Sequence, residues 1–372
     1  MKTDYREFQV KIRFSKSIAI LQPQIPHYRT EFVTLLSRRL GKVDIYSYID
    51  PKKSVANGFE LQLKTHHIDN LSVGPFLIFN PFVLLTKKYD TLVLMLHFGH
   101  ITTWLLLLTS FLHHKKIILW GQGISVKRYL KEEVKPDWKL KWMIALADGV
   151  WFYMDKEYQQ WRTIFPDKPM VALGNSLSGI KDMIDYKPSV TKDQLRAKYG
   201  ISQERVFIFC ARFENQFRRV DLLEDIIKKL DPNKNAFVII GAGKYKPDFS
   251  KYENVYDFGA VYDKELKQEL FSLSDLYLQP GWVGLSIMEA MAYGKPICTF
   301  VRSEQTLQCV EYSYIKDGEN GMIFQNMEDC MNRLSVIQPD DIKRMGISAK
   351  HTASMYTPER MATKAVSVLN HL

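Results

Sequence analysis

The sequence predicts an α/β fold with two parallel sheets, and three observations lead to this prediction. Short apolar runs alternate with amphipathic helical stretches, as at residues 17–21 and 28–40. Such continuous apolar runs are typical of parallel strands that helices cover on both faces. The length of 372 residues exceeds what one hydrophobic core usually holds, and the pattern restarts after a polar stretch at residues 181–202. Two domains that meet near residue 180 are therefore expected.

The first half contains the elements of one such sheet. Strands are predicted over residues 17–21, 43–48, 91–96, 116–120 and 149–153, and helices over 28–40, 102–113 and 138–147. Residues 92–112 contain no Asp, Glu, Lys or Arg, and their length would permit a membrane span. His97, Gly99 and His100 interrupt this run near its start. A strand, a loop and a helix are therefore expected there.

The second half repeats the alternation. Strands are predicted over residues 205–211, 236–240, 255–258, 275–279 and 296–300, and helices over 191–199, 221–230, 264–273 and 286–293. Ligands of doubly wound sheets bind at the carboxyl ends of the strands. A cleft between the two domains is thus the expected site.

Composition narrows the class of protein. With 46% hydrophobic and 25% charged residues the chain is globular, not collagen-like or disordered. Its four cysteines have no paired spacing, so neither a disulfide framework nor a zinc site is indicated. The first 17 residues lack an apolar core, and no signal peptide is expected.

The net charge of +10 is unevenly distributed. Residues 1–180 hold 25 Lys and Arg against 15 Asp and Glu, whereas residues 181–372 hold 26 of each. Such asymmetry indicates a nucleic-acid, membrane or acidic-ligand surface on the first domain.

The most specific segment, residues 279–296, reads QPGWVGLSIMEAMAYGKP. A predicted strand ends at Gln279, a Pro-Gly turn follows, and Ser286 lies near the N-cap of the next helix. Backbone N–H groups at such a helix start can hold a diphosphate. Glu289, one turn into the helix, is placed to accept hydrogen bonds from ribose hydroxyls. The alternative is an ordinary strand–helix turn whose glutamate faces solvent.

This segment resembles the nucleotide-sugar signature of glycosyltransferase family 4, a retaining group with the GT-B fold of two Rossmann-like domains. The family motif is Glu-x7-Glu followed by Ala-Met-Ala-x-Gly-x-Pro, and residues 289–296 match its second part. The resemblance implies that Glu289 binds the donor ribose. Gly281 stands where the family has its first Glu, which usually contacts the donor sugar. Backbone groups offered to the donor are those of Gly284, Leu285 and Ser286.

A second stretch also resembles the family. Residues 211–213 and 218–223 correspond to its Gly-Arg-Leu…Lys-Gly-x-Asp-Leu-Leu segment, whose Arg and Lys neutralise the donor diphosphate. Arg212 takes the first role, and Arg218 takes the second, or Arg219 because the loop is one residue longer. Two fixed cations stabilise a leaving diphosphate as its charge develops. No Asp-x-Asp motif is present, so neither a metal nor a cofactor besides the donor is expected.

Further site residues follow from the same resemblance. Gly241 ends a strand in a family-like Gly-x-Gly, and Val261 is expected to contact the nucleobase through its backbone. Gln122 stands where many members carry a His near the donor sugar. The loop after the first strand supplies the candidate acceptor residues His27, Tyr28 and Arg29. For His27 and Arg29 a structural role at the start of a helix is the alternative.

The basic first half suggests a membrane partner. Lysines and arginines of residues 127–141 alternate with aromatic side chains such as Trp138, and Trp142 follows directly. Cations beside aromatics suit an anionic membrane face. An ordinary solvated basic face is the alternative, and no nucleic-acid-binding motif is visible.

The expected function is that of a retaining, hexosyltransferase-type glycosyltransferase. It would move a sugar from a UDP- or GDP-sugar to a saccharide or lipid-linked acceptor, in cell-surface polysaccharide or glycolipid synthesis. The expected location is the cytoplasm, peripheral to the inner face of the plasma membrane. Residues 1–180 would bind the acceptor and 181–355 the donor, and 356–372 would cross back to the first domain. A GT-B-like sugar-nucleotide epimerase and a non-catalytic sugar-nucleotide-binding subunit remain as alternatives.

Overall fold

Two parallel sheets form the framework of the computed structural model, which describes residues 16–50 and 63–372. The prediction about a signal peptide concerns residues that lie largely outside this description. The strands of the first half are β1 Lys16–Gln22, β2 Gly41–Ser47, β3 Thr65–His67, β4 Asn70–Val73, β5 Phe76–Phe79, β6 Thr91–Met95, β7 Lys116–Gly121, β8 Gly149–Phe152 and β9 Met170–Ala172. Seven of them form the N-terminal sheet in the order β3-β2-β1-β6-β7-β8-β9, with every pairing parallel.

The C-terminal sheet has the same winding. Its strands are β10 Arg205–Cys210, β11 Asn235–Ile240, β12 Val255–Asp257, β13 Leu276–Leu278, β14 Ile297–Phe300 and β15 Gly321–Phe324. They pair in parallel in the order β12-β11-β10-β13-β14-β15. This is the strand order of a doubly wound nucleotide-binding sheet. The predicted α/β class with two parallel sheets is confirmed.

Helices cover both faces of each sheet, which explains the continuous apolar strands. In the first half they are α1 Thr30–Leu40, α2 Ile101–Leu108, α3 Ser110–His113, α4 Tyr129–Val134, α5 Trp138–Leu146 and α6 Asp155–Ile164. In the second half they are α7 Ile180–Asp185, α8 Lys192–Lys198, α9 Val220–Lys229, α10 Lys264–Leu273, α11 Ser286–Ala292, α12 Met327–Val336, α13 Pro339–Ser354 and α14 Pro358–Asn370. All six residues of β11 are buried, as a strand covered on both faces requires.

The last helix returns to the first half of the chain. Thr357 caps α14 by accepting a hydrogen bond from the Arg360 N–H, and Pro358 occupies its first turn. Met361 and Ala365 of α14 are fully buried and pack in one apolar cluster with Phe32 of α1. The helix therefore ties the end of the chain to the N-terminal sheet.

The antiparallel β4–β5 hairpin was not expected. Its turn contains Gly74, whose φ of +57° suits a glycine, followed by Pro75. The hairpin packs beside α2, where the Phe79 N–H donates to the Thr102 hydroxyl at 2.9 Å. Apolar side chains lie on the exposed side of the hairpin as well as on its buried side. The sequence therefore lacks the alternation of apolar and polar residues that indicates a half-buried strand.

Candidate functional site

The topology brings the predicted donor residues to one place. The C-terminal sheet reverses its winding direction between β10 and β13, and ligands bind outside the carboxyl ends of strands at such a point. Residues 211–219 follow β10, and residues 279–285 follow β13. These two loops contain Arg212, Arg218 and Gly281, and Ser286 begins the helix after the second loop.

Arg218 is a half-buried cation with incomplete hydrogen bonding. Its Nη1 donates to the Trp282 carbonyl at 3.0 Å, while its Nε is buried with no hydrogen-bond partner among the described residues. Burial lowers the pKa of Arg218, and the charge of Arg212 lowers it further. No carboxylate forms an ion pair with Arg218 in the described part of the chain. A desolvated guanidinium without a counter-ion favours the binding of an anion.

Arg212 lies exposed on the same loop. Burial raises the pKa of Tyr28, while the charge of Arg29 lowers it and that of Glu311 raises it. The charge of Arg212 also lowers the pKa of Tyr28, so the two side chains lie within electrostatic range of each other. Since Tyr28 follows β1 of the N-terminal sheet, the guanidinium of Arg212 lies at the cleft between the two halves. The two arginines thus place two positive charges at the carboxyl end of β10.

Arg219, the other candidate for the second cation, is occupied within the protein. Its backbone adopts a φ of +52°, and its Nη2 lies 2.6 Å from the Asp221 carboxylate. Its Nη1 donates to the Thr306 hydroxyl at 2.6 Å. Arg218 is therefore the better placed of the two for a ligand.

Close packing explains why residue 281 is a glycine. A Cβ on Gly281 would lie 2.5 Å from the Phe217 carbonyl oxygen and 2.7 Å from Cγ of Arg219, closer than real Cβ atoms come. The next residue, Trp282, adopts a φ of +52° and stacks on Phe217 with ring centroids 5.0 Å apart. The turn at residues 216–219 thus closes over the position where the family carries its first Glu.

A buried amide that sequence reasoning missed holds this loop. Gln279 is fully buried, and its Nε2 donates to the Trp282 carbonyl at 2.7 Å. Its Oε1 accepts from the hydroxyls of Ser286, at 3.0 Å, and Tyr277, at 2.8 Å. The Ser286 side chain is therefore engaged in shaping the loop.

Gly284 and Leu285 differ from Gly281 in their surroundings. A Cβ on Gly284 would meet nothing closer than Cys309 Sγ at 3.8 Å. Leu285 forms the N-cap of α11. The backbone at the start of α11 is thus more open than at Gly281.

Glu289 of α11 is oriented by a lysine that the sequence analysis did not single out. Its Oε2 lies 2.7 Å from Nζ of Lys267, which belongs to α10. Burial lowers the pKa of Lys267, but the Glu289 carboxylate outweighs burial and raises it overall. The pair holds a charged, half-buried carboxylate next to the loop after β13.

The N-terminal side of the cleft presents neutral polar groups. Gln122 is half-buried directly after β7, and His97 and His100 follow β6. Burial lowers the pKa of His100 to about 4, with a smaller contribution from His97. Burial also lowers the pKa of His97. Both imidazoles are therefore neutral near pH 7.

Arg29 is engaged in packing between the halves. Its Nη2 donates to Oδ1 of Asn175, and Nδ2 of Asn175 donates to the Glu311 carboxylate. All three residues are buried. Burial raises the pKa of Glu311, against a hydrogen bond from Asn175 and the charge of Arg29. These contacts favour the structural alternative for Arg29, whereas His27 is exposed and Tyr28 half-buried. The acceptor role of the three residues stays a prediction.

The two remaining predicted donor residues lie beside the site. Gly241 is buried, and a Cβ on it would lie 2.1 Å from the Ala211 carbonyl oxygen. This glycine therefore allows the loops after β10 and β11 to approach each other. Val261 is half-buried and packs with Phe258 against the C-terminal core.

Comparison with known proteins connects this geometry to an enzyme class. Residues 204–336 match the family model described as Glycosyl transferases group 1. The enzyme class predicted from the sequence, a glycosyltransferase, is confirmed by this match. A search of curated proteins found none that matches the chain.

Solved structures share the fold over nearly the whole chain. Anabaena HepE in complex with UDP is 14% identical, with a TM-score of 0.66 and coverage of 96% of this chain and 100% of that one. A glycosyltransferase from Rickettsia africae is 16% identical, with a TM-score of 0.62 and coverage of 96% and 98%. WaaB, a lipopolysaccharide outer core galactosyltransferase, is 15% identical, with a TM-score of 0.63 and coverage of 95% and 99%. These likenesses confirm the predicted GT-B architecture.

The apolar stretch at residues 92–112 does not form one long helix. It is divided among β6, α2, α3 and the loop between β6 and α2. Within the described residues, no helix is long and apolar enough to cross a membrane.

Proposed function

We propose that this glycosyltransferase moves a sugar from a UDP- or GDP-sugar to a saccharide or lipid-linked acceptor and retains the anomeric configuration. The observation that carries the proposal is Arg218, a half-buried guanidinium with a buried, unpartnered Nε and no carboxylate partner among the described residues, at the point where the C-terminal sheet reverses. A nucleoside diphosphate supplies an anion for the Arg218 guanidinium, whose Nε has no partner among the described residues. The HepE structures, which contain UDP, UDP and glucose, or UDP-glucose, support a uridine donor.

The C-terminal loops bind the donor in this proposal. Arg212 and Arg218 hold the diphosphate, and the backbone at Gly284 and Leu285 approaches it from the other loop. The Glu289 carboxylate, oriented by Lys267, accepts hydrogen bonds from the ribose hydroxyls. Val261 contacts the base.

Transfer then requires little acid–base chemistry from the protein. The acceptor oxygen forms a bond to the anomeric carbon as the bond from that carbon to the diphosphate oxygen breaks. The acceptor proton passes to the departing diphosphate oxygen, on the same face of the sugar. Arg212 and Arg218 stabilise the negative charge that develops there. This route is consistent with imidazoles that are neutral on the opposite wall.

The N-terminal half binds the acceptor in this proposal. His27, Tyr28 and Gln122 lie at the carboxyl ends of its strands, where they can meet hydroxyl groups. Residues 1–180 hold 25 Lys and Arg against 15 Asp and Glu, and this positive charge supports a peripheral position on the anionic inner face of the plasma membrane. Synthesis of cell-surface polysaccharide or glycolipid is the corresponding process.

A panel of UDP- and GDP-sugars tests the proposal, with nucleotide release as the readout and NMR of the product to assign its anomeric configuration. Glu289→Gln is expected to weaken donor binding by about tenfold, because a neutral amide is a poorer acceptor than a carboxylate. The matched control Glu328→Gln changes an exposed glutamate on α12 and should leave binding unchanged. Failure of the protein to bind UDP, GDP or any donor would contradict the proposal.

A non-catalytic sugar-nucleotide-binding subunit is the second candidate. The closed turn over Gly281 favours it, because the family Glu that contacts the donor sugar has no room there. Nucleotide binding without turnover of any donor, in the presence of acceptors, would support this alternative over the transferase.

A further inference from the structure

We infer that the N-terminal half carries a face that inserts into an anionic lipid bilayer. This deepens the proposed function and rests on it in one respect, namely that the bilayer presents the acceptor. Of the 21 large apolar side chains exposed among the described residues, 15 lie between residues 71 and 142. We call the exposed side of the β4–β5 hairpin, α2, α3 and α5 the apolar face.

The hairpin contributes a cross-strand apolar surface. Leu71 pairs with Ile78 and Val73 pairs with Phe76, and paired residues of an antiparallel hairpin point to the same side. All four side chains are exposed, whereas Leu77 on the other side is buried. An outward apolar side on a two-stranded hairpin indicates a partner surface.

Helices α2 and α3 continue the surface. Ile101, Leu105 and Leu108 recur at helical spacing on the exposed side of α2, opposite the buried Leu106 and Leu107. On α3, Phe111 is 69% exposed and Leu112 is 66% exposed. Helix α2 has apolar residues on both sides, yet only one side is covered by the protein.

Charge identifies the partner. Residues 71–142 contain ten Lys and Arg against four Asp and Glu. On α5, Trp138 and Trp142 are exposed one turn apart, with Lys141 exposed between them. Lysines beside tryptophans on a surface rich in exposed leucine and phenylalanine are typical of proteins that lie in the membrane interface. A second copy of the same positive face is a poorer partner, because the like charges would repel.

The apolar face adjoins the acceptor side of the cleft. The Leu77 N–H donates to the Gly99 carbonyl at 2.9 Å, so the hairpin packs on the loop between β6 and α2. His100 of the same loop stacks edge-on against Tyr48, which follows β2, with ring centroids 5.4 Å apart. A bilayer that contacts the hairpin and α2 would therefore lie beside the carboxyl ends of the N-terminal strands.

Co-sedimentation with vesicles tests this inference. Wild-type protein is expected to bind vesicles of phosphatidylglycerol and phosphatidylcholine, and to bind vesicles of phosphatidylcholine alone more weakly. The double variant Phe111→Ser, Leu112→Ser should weaken binding by about 100-fold, because two large side chains no longer enter the bilayer. The matched control is Val336→Ser, Ile347→Ser, which alters apolar residues that are 68% and 66% exposed on the C-terminal half. This control should bind like the wild type.

Charge and nucleotide binding provide separate readouts. Lys135, between α4 and α5, and Lys141 of α5 are both exposed. Lys135→Glu with Lys141→Glu should weaken binding to anionic vesicles by more than about tenfold. Lys228→Glu with Lys229→Glu, on exposed positions of α9, should not. Binding of UDP and GDP should be unchanged in the Phe111, Leu112 variant. If the wild type binds neither UDP nor GDP, the proposed function is contradicted, whereas the inference about vesicle binding is not.

Two results would overturn the inference. One is vesicle binding by the Phe111, Leu112 variant equal to that of the Val336, Ile347 control. The other is a wild-type dimer that these two substitutions dissociate without any vesicle binding, since the apolar face would then contact a second copy. Sedimentation velocity on the same preparations distinguishes these outcomes.

Discussion

The buried Arg29 and the half-buried Arg218 lie on opposite sides of the cleft and differ in how many of their hydrogen-bonding groups find a partner in the protein. The guanidinium of Arg29 contacts Asn175 and lies 5.5–5.6 Å from the ring centroids of Tyr28, Trp120 and Tyr153. Arg218 donates one hydrogen bond from Nη1 to the Trp282 carbonyl, and its buried Nε has no partner among the described residues. The first arginine completes an internal network between the halves. In the proposed donor complex the diphosphate completes the second, so structural and ligand-binding arginines should be distinguishable by their partners.

Removing Arg218 should have the largest effect, and it should fall on activity. Arg218→Met is expected to lower turnover by about 100- to 1,000-fold, because a donor aimed at the developing charge is lost. Thermal stability should stay the same or rise, since a partly desolvated charge without a counter-ion among the described residues is removed. Donor turnover and differential scanning calorimetry measure the two effects. Arg344→Met, at an exposed position, is the control, and unchanged turnover in Arg218→Met would contradict the comparison.

Removing Arg29 should reverse this pattern. Arg29→Met is expected to destabilise the fold by about 3 kcal/mol, because buried polar groups of Asn175 and Glu311 lose their partner. Nucleotide affinity should change little. Chemical denaturation and calorimetric titration with UDP and GDP measure both quantities. Arg38→Met on the exposed side of α1 serves as the control, and a large loss of nucleotide affinity with full stability would show that Arg29 acts on the ligand.

Adding one methyl group at either of two neighbouring glycines tests the closed turn. Gly281→Ala should destabilise the protein by about 2 kcal/mol, because the new Cβ overlaps the Phe217 carbonyl oxygen. Gly284→Ala should cost less than about 0.5 kcal/mol, since its Cβ makes only ordinary van der Waals contact, with Cys309 Sγ at 3.8 Å. Denaturant unfolding of the two variants measures the difference. Equal stabilities would mean that the turn at residues 216–219 does not close over Gly281.

A smaller effect concerns pH and a third buried polar group near the cleft. Burial raises the pKa of Glu157 to about 7, against a hydrogen bond from Tyr129, whose ring centroid lies 3.4 Å from the Arg302 guanidinium of the other half. The folded protein therefore holds the proton more tightly than the unfolded chain does. This contribution to stability is present below about pH 4.5 and declines as pH rises towards 7.

Glu157→Gln should remove this pH dependence. The variant is expected to gain about 1–2 kcal/mol relative to wild type at pH 8 and to differ little at pH 5. Denaturant unfolding at both pH values provides the measurement. A difference between variant and wild type that is the same at the two pH values would show that Glu157 is not the titrating group.

Sequence reasoning predicted local features better than long-range ones. The helix Lys264–Leu273 and the motif at residues 279–296 could be predicted because they depend on neighbouring residues. The choice between Arg218 and Arg219 could not, since it follows from a positive φ at Arg219 and its pairing with Asp221. The Lys267 partner of Glu289 joins two helices and leaves no local signal.

The apolar stretch at residues 92–112 shows a second limit. Its strand and helices could be predicted from length and punctuation. Which apolar residues stay exposed depends on the tertiary packing that covers one side of α2 with β5 and α5. Composition alone could not distinguish Leu107, which is buried, from Leu108, which is 58% exposed.

A crystal structure with bound UDP and, separately, GDP tests the central claim most directly. We expect the diphosphate oxygens within hydrogen-bond distance of the guanidiniums of Arg212 and Arg218, with the ribose hydroxyls at the Glu289 carboxylate. Nucleotide bound elsewhere, with the Arg218 Nε still unpartnered, would contradict the assignment of the donor site to the loops after β10 and β13.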